Sequence, residues 1–161
     1  MQRVAKLSKW IKLITKRANL VDAAIAPIAK PIDFEALTYK GIGKLAGTRT
    51  APILPGMAVK KLGRTTGLTS GKVSAIEVDK VVVDYDLGSL SFNNQIEIES
   101  VGNSAFSAGG DSGSLILDEE NFGCALLFAG SERGGPNDRG LTYANPIATV
   151  LKRLAIELQT A

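Results

Sequence analysis

FSAGGDSGSLIL, residues 106–117, is the stretch on which the reading of this 161-residue chain turns. Glycines on both sides of Asp111 and Ser112 let the backbone take turns that a Cβ would forbid, so successive N–H groups can point into one concavity. Such a nest favours negative charge. Beside a hydroxyl it offers what acyl transfer needs: Ser112 as nucleophile, and the N–H groups of Gly110 and Ser112 to receive a developing oxyanion. Asp111 between them is expected to be buried, and a buried carboxylate requires a cation or several donors. The same letters also fit an ordinary glycine-rich turn. The surrounding sequence has to decide.

Outward from this stretch, short apolar runs rich in β-branched residues alternate with Gly, Asn, Asp and Ser clusters, the punctuation of an all-β protein. Strands are predicted at 21–28, 57–62, 68–78, 81–85, 95–99, 114–117, 123–129 and 141–144, with a tight turn at Asp79 and Lys80. Residues 31–55 read as a connecting segment with at most one short strand near 41–45. Only the end is helical: Asn145 can cap and Pro146 can start a helix whose Ile147, Val150, Leu151, Leu154 and Leu158 share one face.

FSAGGDSGSLIL lies about forty residues after GRTTGLTSGKV (63–73) and is followed by CALLFAGS (124–131), TYANPI (142–147) and the helix. This order of motifs resembles the second barrel of the chymotrypsin-like (trypsin-like) serine peptidases, the bacterial members above all, over residues 20–158. The resemblance implies a pair of antiparallel six-stranded β-barrels with the active site in the cleft between them. On this chain it implies the last strands of an incomplete first barrel at 1–30, the connection at 31–55, and the second barrel with its C-terminal α-helix at 56–161. Ser112 then matches the nucleophile, Gly110 and Ser112 the oxyanion donors, and Asp22 the triad aspartate. Phe106, Ser107, Phe128, Ala129 and Gly130 match the walls of the primary specificity pocket. Phe106, with no acid beside it, implies a small or apolar substrate side chain. Bacterial relatives hold the aspartate before the nucleophile with an arginine of the GRTTG motif, which implies a partly buried Arg64–Asp111 ion pair. The substrate implied is a peptide or protein, with neither cofactor nor metal.

One residue type breaks the likeness: the chain contains no histidine. The family's histidine belongs upstream of the triad aspartate, and here about twenty residues precede Asp22. The chain therefore reads as the C-terminal part of a trypsin-like endopeptidase, inactive or nearly so alone, to be completed by a histidine-bearing segment in cis or in trans. A serine hydroxyl without a base has too high a pKa to attack an amide. A lysine can serve as base when desolvated, but Lys60, Lys61 and Lys72 read as solvated strand surface. Cys124 sits in an apolar run and reads as a small core residue. Asp118, Glu119 and Glu120 read as a solvated turn, not a metal site. GRTTGLTSG lacks the ending and the following helix of a phosphate loop. The alternative function is a non-catalytic, peptidase-like module for peptide binding or assembly.

Composition narrows the partners. With 45% apolar and 22% charged residues, and no apolar run near the roughly 20 residues of a bilayer span, the chain is a globular domain without a predicted membrane helix. A single cysteine excludes an internal disulfide framework. The net charge of +3 sits at one end: residues 1–17 hold six bases and no acid, leaving thirteen bases against 16 acids in the remainder. That distribution argues against nucleic acid. The basic segment fits either an amphipathic surface helix or a lysine-rich edge strand, and six charges in seventeen residues favour the strand. It lacks the pattern of a secretory leader, which leaves the compartment open and leaning to the cytoplasm. Strands without barrel neighbours are expected to seek cover, as a homo-oligomer or with a complementary fragment.

Overall fold

In the computed structural model the described residues are 4–29, 38–136 and 138–160. They form β1 (Lys9–Trp10), β2 (Ala24–Ile25), β3 (Thr38–Tyr39), β4 (Gly43–Lys44), β5 (Gly47–Thr48), β6 (Ala58–Gly63) and β7 (Gly67–Val78). There follow β8 (Val81–Tyr85), β9 (Gly88–Phe92), β10 (Gln95–Ser100), β11 (Leu115–Leu117), β12 (Phe122–Gly130), β13 (Leu141–Pro146) and the helix α1 (Ile147–Leu154). Six of these strands close on themselves in the order β11-β6-β7-β10-β13-β12, and β12 pairs back onto β11, every pairing antiparallel. This is the six-stranded barrel the motifs imply. β5 adds to its rim, parallel to β12.

Alternation fills the barrel. Val59, Val73, Ile96, Ile98, Ile116 and Leu127 point inward from six different positions around the wall and form one buried cluster. A second cluster lies under α1, where Ile147, Val150 and Leu154 meet Val21, Ala23 and Leu117. A third joins Leu90 and Phe92 of the β8–β9 hairpin to Phe128.

Several local expectations change. The basic segment forms the lysine-rich edge strand that its charge favours, cut to two residues: β1 pairs with β2 in the register Lys9↔Ile25 and Trp10↔Ala24. The predicted strand at 21–28 shrinks to β2, although Val21 and Ala23 still alternate into the core. Residues 31–37 of the expected connection lie outside the described residues, and 38–55 hold three two-residue strands instead of one. β9 is absent from the sequence reading because Gly88, Ser89 and Ser91 suggest a turn. Asn145 does not cap α1; no side-chain bond caps the helix, and β13 runs on through Pro146. The helix stops at Leu154, with Ala155 left-handed at φ 50° and its N–H bonded to Lys152 O.

Candidate active site

The loop carrying Ser112 is built around Asp111. Its side chain is fully buried, and four donors besides a cation converge on it. Oδ1 accepts the Thr65 N–H at 2.7 Å and the Thr66 N–H at 3.3 Å; Oδ2 accepts the Thr66 hydroxyl at 2.7 Å and the Ala108 N–H at 3.2 Å. Burial alone would raise its pKa, but the Thr66 hydroxyl and the N–H groups of Thr65, Ala108 and Thr66 hold the carboxyl well below the usual range.

The cation is Lys61, not Arg64. Lys61 Nζ lies 3.3 Å from Asp111 Oδ2 with its side chain fully buried, donates to Thr66 Oγ1 at 2.6 Å, and stands 5.5 Å from the centroid of the Phe106 ring. Burial lowers the Lys61 pKa against the opposing pull of Asp111. Arg64 is exposed and makes no ion pair with Asp111, because the 63–67 turn spends its backbone N–H groups and Thr66 on that carboxylate and turns the Arg64 side chain outward, over Gly110. The expected solvated lysine is therefore the one wholly buried in the barrel wall.

Gly63 makes room for this pair. A Cβ there would stand 2.5 Å from Asp111 Oδ1 and 2.8 Å from Lys61 Nζ, atoms fixed by burial on all sides. Gly63→Ala is expected to lower stability by about 2–3 kcal/mol, read as an earlier urea midpoint; an unchanged midpoint would show that the pair can shift.

Around Ser112 the turn is tight. Gly110 and Gly113 take φ of 98° and 89°, in the left-handed region that favours glycine. Asp111 N–H bonds Ala108 O and Gly113 N–H bonds Leu127 O, while the N–H groups of Gly110 and Ser112, alternating with them, have no partner among the described residues. Ser112 Oγ is 3.4 Å from the Phe128 carbonyl.

Ser112 borders two cavities. One, of about 470 Å3, also has Asp22, Asp84, Tyr85 and Gly113 in its wall. Asp22, half-buried, accepts the Tyr85 hydroxyl on Oδ2 at 2.6 Å, and its N–H donates to Asn145 Oδ1 at 3.1 Å. Burial first, then Asp22, raises the Tyr85 pKa, so the phenol stays protonated. Asp84 is engaged by the Ser89 hydroxyl at 2.6 Å. The second cavity, about 260 Å3, is lined by Ser107, Ala129 and Gly130, and also by Glu132 and Arg139, which sequence reasoning missed and no motif signals. Ser107 Oγ shares a 2.6 Å hydrogen bond with Thr142 Oγ1.

Two expected pocket residues do not line this second cavity, although Phe128 borders the one with Asp22. Phe106 is buried inside the barrel against Lys61, so a small or apolar substrate preference loses its footing. Phe128 is the extra residue of a bulge between Leu127↔Ala144 and Ala129↔Tyr143, which re-aims its ring onto Phe92, 4.8 Å between centroids. Cys124 is buried, and desolvation first, then Asp118, pushes its thiol up to about 12, which leaves it a core residue. Among the described residues there is no cluster of metal-ligating side chains, and no helix is long and apolar enough to cross a membrane.

Comparison with known proteins agrees with this geometry. A sequence model of peptidase family S64 matches residues 5–156. No curated protein matches the chain. Among solved structures, Cellulomonas bogoriensis chymotrypsin superimposes with a TM-score of 0.68 at 23% identity, covering 98% of this chain and 76% of that one. A glutamic acid-specific serine protease gives 0.65 at 23%, over 97% and 74%. Thermobifida fusca protease A gives 0.65 at 23%, over 89% and 70%. With a barrel of the chymotrypsin-like fold, a serine on a glycine turn and a family match over almost all of its length, the chain belongs to peptidase family S64.

Proposed function

We propose that this chain is the nucleophile-bearing part of a serine endopeptidase, with Ser112 as nucleophile, Gly110 and Ser112 N–H groups as oxyanion donors, and Asp22 as the carboxylate that orients a base. One observation carries the reading: Asp22 and Ser112 face the same cavity, and the chain itself offers no imidazole to stand between them. An imidazole from another stretch of polypeptide, in cis or in trans, fills that space. Its ring N–H bonds Asp22 while its other nitrogen takes the Ser112 proton, and Oγ forms the bond to the peptide carbonyl carbon. The oxyanion is received by the Gly110 and Ser112 N–H groups; collapse breaks the C–N bond, and the imidazolium returns its proton to the leaving amine. Water then repeats the attack and frees the acid.

Alone, the chain keeps only the contribution of the oxyanion pocket and of binding, about 10³–10⁴ over water. The test is fluorophosphonate labelling of Ser112 with and without free imidazole. Labelling is expected to be negligible without it and to quicken by about tenfold or more with it, rising with pH through about 6.5–7 as the ring loses its proton. Ser112→Ala should abolish labelling, and Asp22→Asn should remove most of the imidazole-dependent part. Labelling that imidazole leaves unchanged would overturn the reading in favour of the non-catalytic peptide-binding module.

A further inference from the structure

The segment that carries Asp22 also borders a second, unrelated cavity. It encloses about 320 Å3 and is walled by Ile11, Ile14 and Leu20, with Lys12, Arg17 and Arg153 around it. The three cations are exposed, and none forms an ion pair among the described residues. No carboxylate lines the space. Arg153 comes from the last turn of α1, so two distant parts of the chain bring like charges to one apolar cleft. Like charges held together repel, and their field draws an anion. Lys6, Lys9 and Lys16 of the same segment add further positive charge.

We infer that this cleft docks an acidic–apolar peptide segment of a partner protein. Carboxylates of the segment pair with Lys12, Arg17 and Arg153, and an aliphatic side chain between them fills the space among Ile11, Ile14 and Leu20. Each half of the ligand answers one half of the site: a free anion would leave the apolar walls wet, and an uncharged apolar segment would leave the cations uncompensated. The walls hold no aromatic ring for bases to stack on. The site is concave, which suits an inserted side chain better than a flat bilayer. This surface stands apart from the Ser112 site and does not depend on the peptidase reading.

The test uses the whole chain and a short, capped, fluorescein-labelled peptide of alternating leucine and glutamate, followed by anisotropy, beside its leucine–lysine counterpart. Trp10, the single tryptophan, is exposed next to Ile11 and gives a second signal. The glutamate peptide is expected to bind, more weakly with added salt, and the lysine peptide not to bind. Arg17→Glu with Arg153→Glu is expected to weaken binding by about tenfold or more; both side chains are exposed, and circular dichroism checks that the fold is kept. Three results would overturn the inference. The peptides could bind alike or not at all. Phosphatidylserine vesicles could bind where the glutamate peptide does not. The chain could sediment as a dimer that Asp86→Lys dissociates, which would make the acidic tip of the β8–β9 hairpin of a second copy the occupant.

Discussion

Asp111→Ala is expected to cost the fold about 3–5 kcal/mol. It leaves the Lys61 ammonium buried without its counter-charge and orphans the N–H groups of Thr65, Thr66 and Ala108 together. Asp111→Asn separates these causes, because the amide keeps an acceptor oxygen but loses the charge. The pH dependence then has a definite sign. In the parent chain the depressed Asp111 carboxyl contributes stability that is present above about pH 4 and is lost as pH falls through its folded value. Lys61 behaves oppositely. Its folded pKa lies below the unfolded one, so the penalty for burying the ammonium is full at lower pH and is relieved as pH rises through the folded value. Without the Asp111 charge that folded value drops further. The gap in urea midpoint between Asp111→Asn and the parent should therefore narrow toward alkaline pH; a gap that is constant from pH 6 to about 10 would mean that Lys61 carries no buried charge.

Asn145→Ala should follow closely, at about 3–5 kcal/mol. Asn145 and Gln95 are both fully buried and bonded to each other, Nδ2 to Oε1, at 2.6 Å. Asn145 Oδ1 accepts the Asp22 N–H, and Gln95 Nε2 donates to Leu20 O at 3.1 Å, so the two amides tie the Asp22 segment to β10 and β13. Removing Asn145 strands the Asp22 N–H and the Gln95 oxygen and opens a void. Beyond the lost stability, amide exchange at Asp22 should accelerate more than at β7 residues such as Val73, measured by native-state hydrogen exchange. Equal acceleration at both would mean that the amide pair fastens the whole barrel and not this segment in particular.

The long strands and the Ser112 turn were legible because their signals are local: period-2 alternation, turn residues such as Asp79 and Lys80, and the glycines beside Asp111. Lys61 reads as a solvated surface lysine, although a contrary signal exists. It stands two residues from Val59, hence on the inward face of β6, and only the habit of placing lysine outside hides it. Arg64 misled because a motif says which residues are near Asp111 but not which backbone groups a turn will commit. Phe106 and Phe128 mislead for a related reason: a match to a motif says nothing of side-chain direction, which the inward turn at 106 and the bulge at 128 decide. Asn145 was read as a cap from its place before Pro146, yet its amide is spent on partners 50 and 123 positions away in sequence, where no local signal reaches.

The ring of strands is joined where β6 meets β11, with Lys61 opposite Ile116 and Lys60 opposite Leu117. The residue on that seam is the same lysine that holds the Ser112 loop through Asp111. Unzipping the seam must therefore bring a naked ammonium and a naked carboxylate into the open at once, a step with no inexpensive halfway point. Closure of the architecture and shaping of the Ser112 loop are thus one cooperative event: a molecule whose barrel has not shut lacks the turn that presents the Gly110 and Ser112 N–H groups.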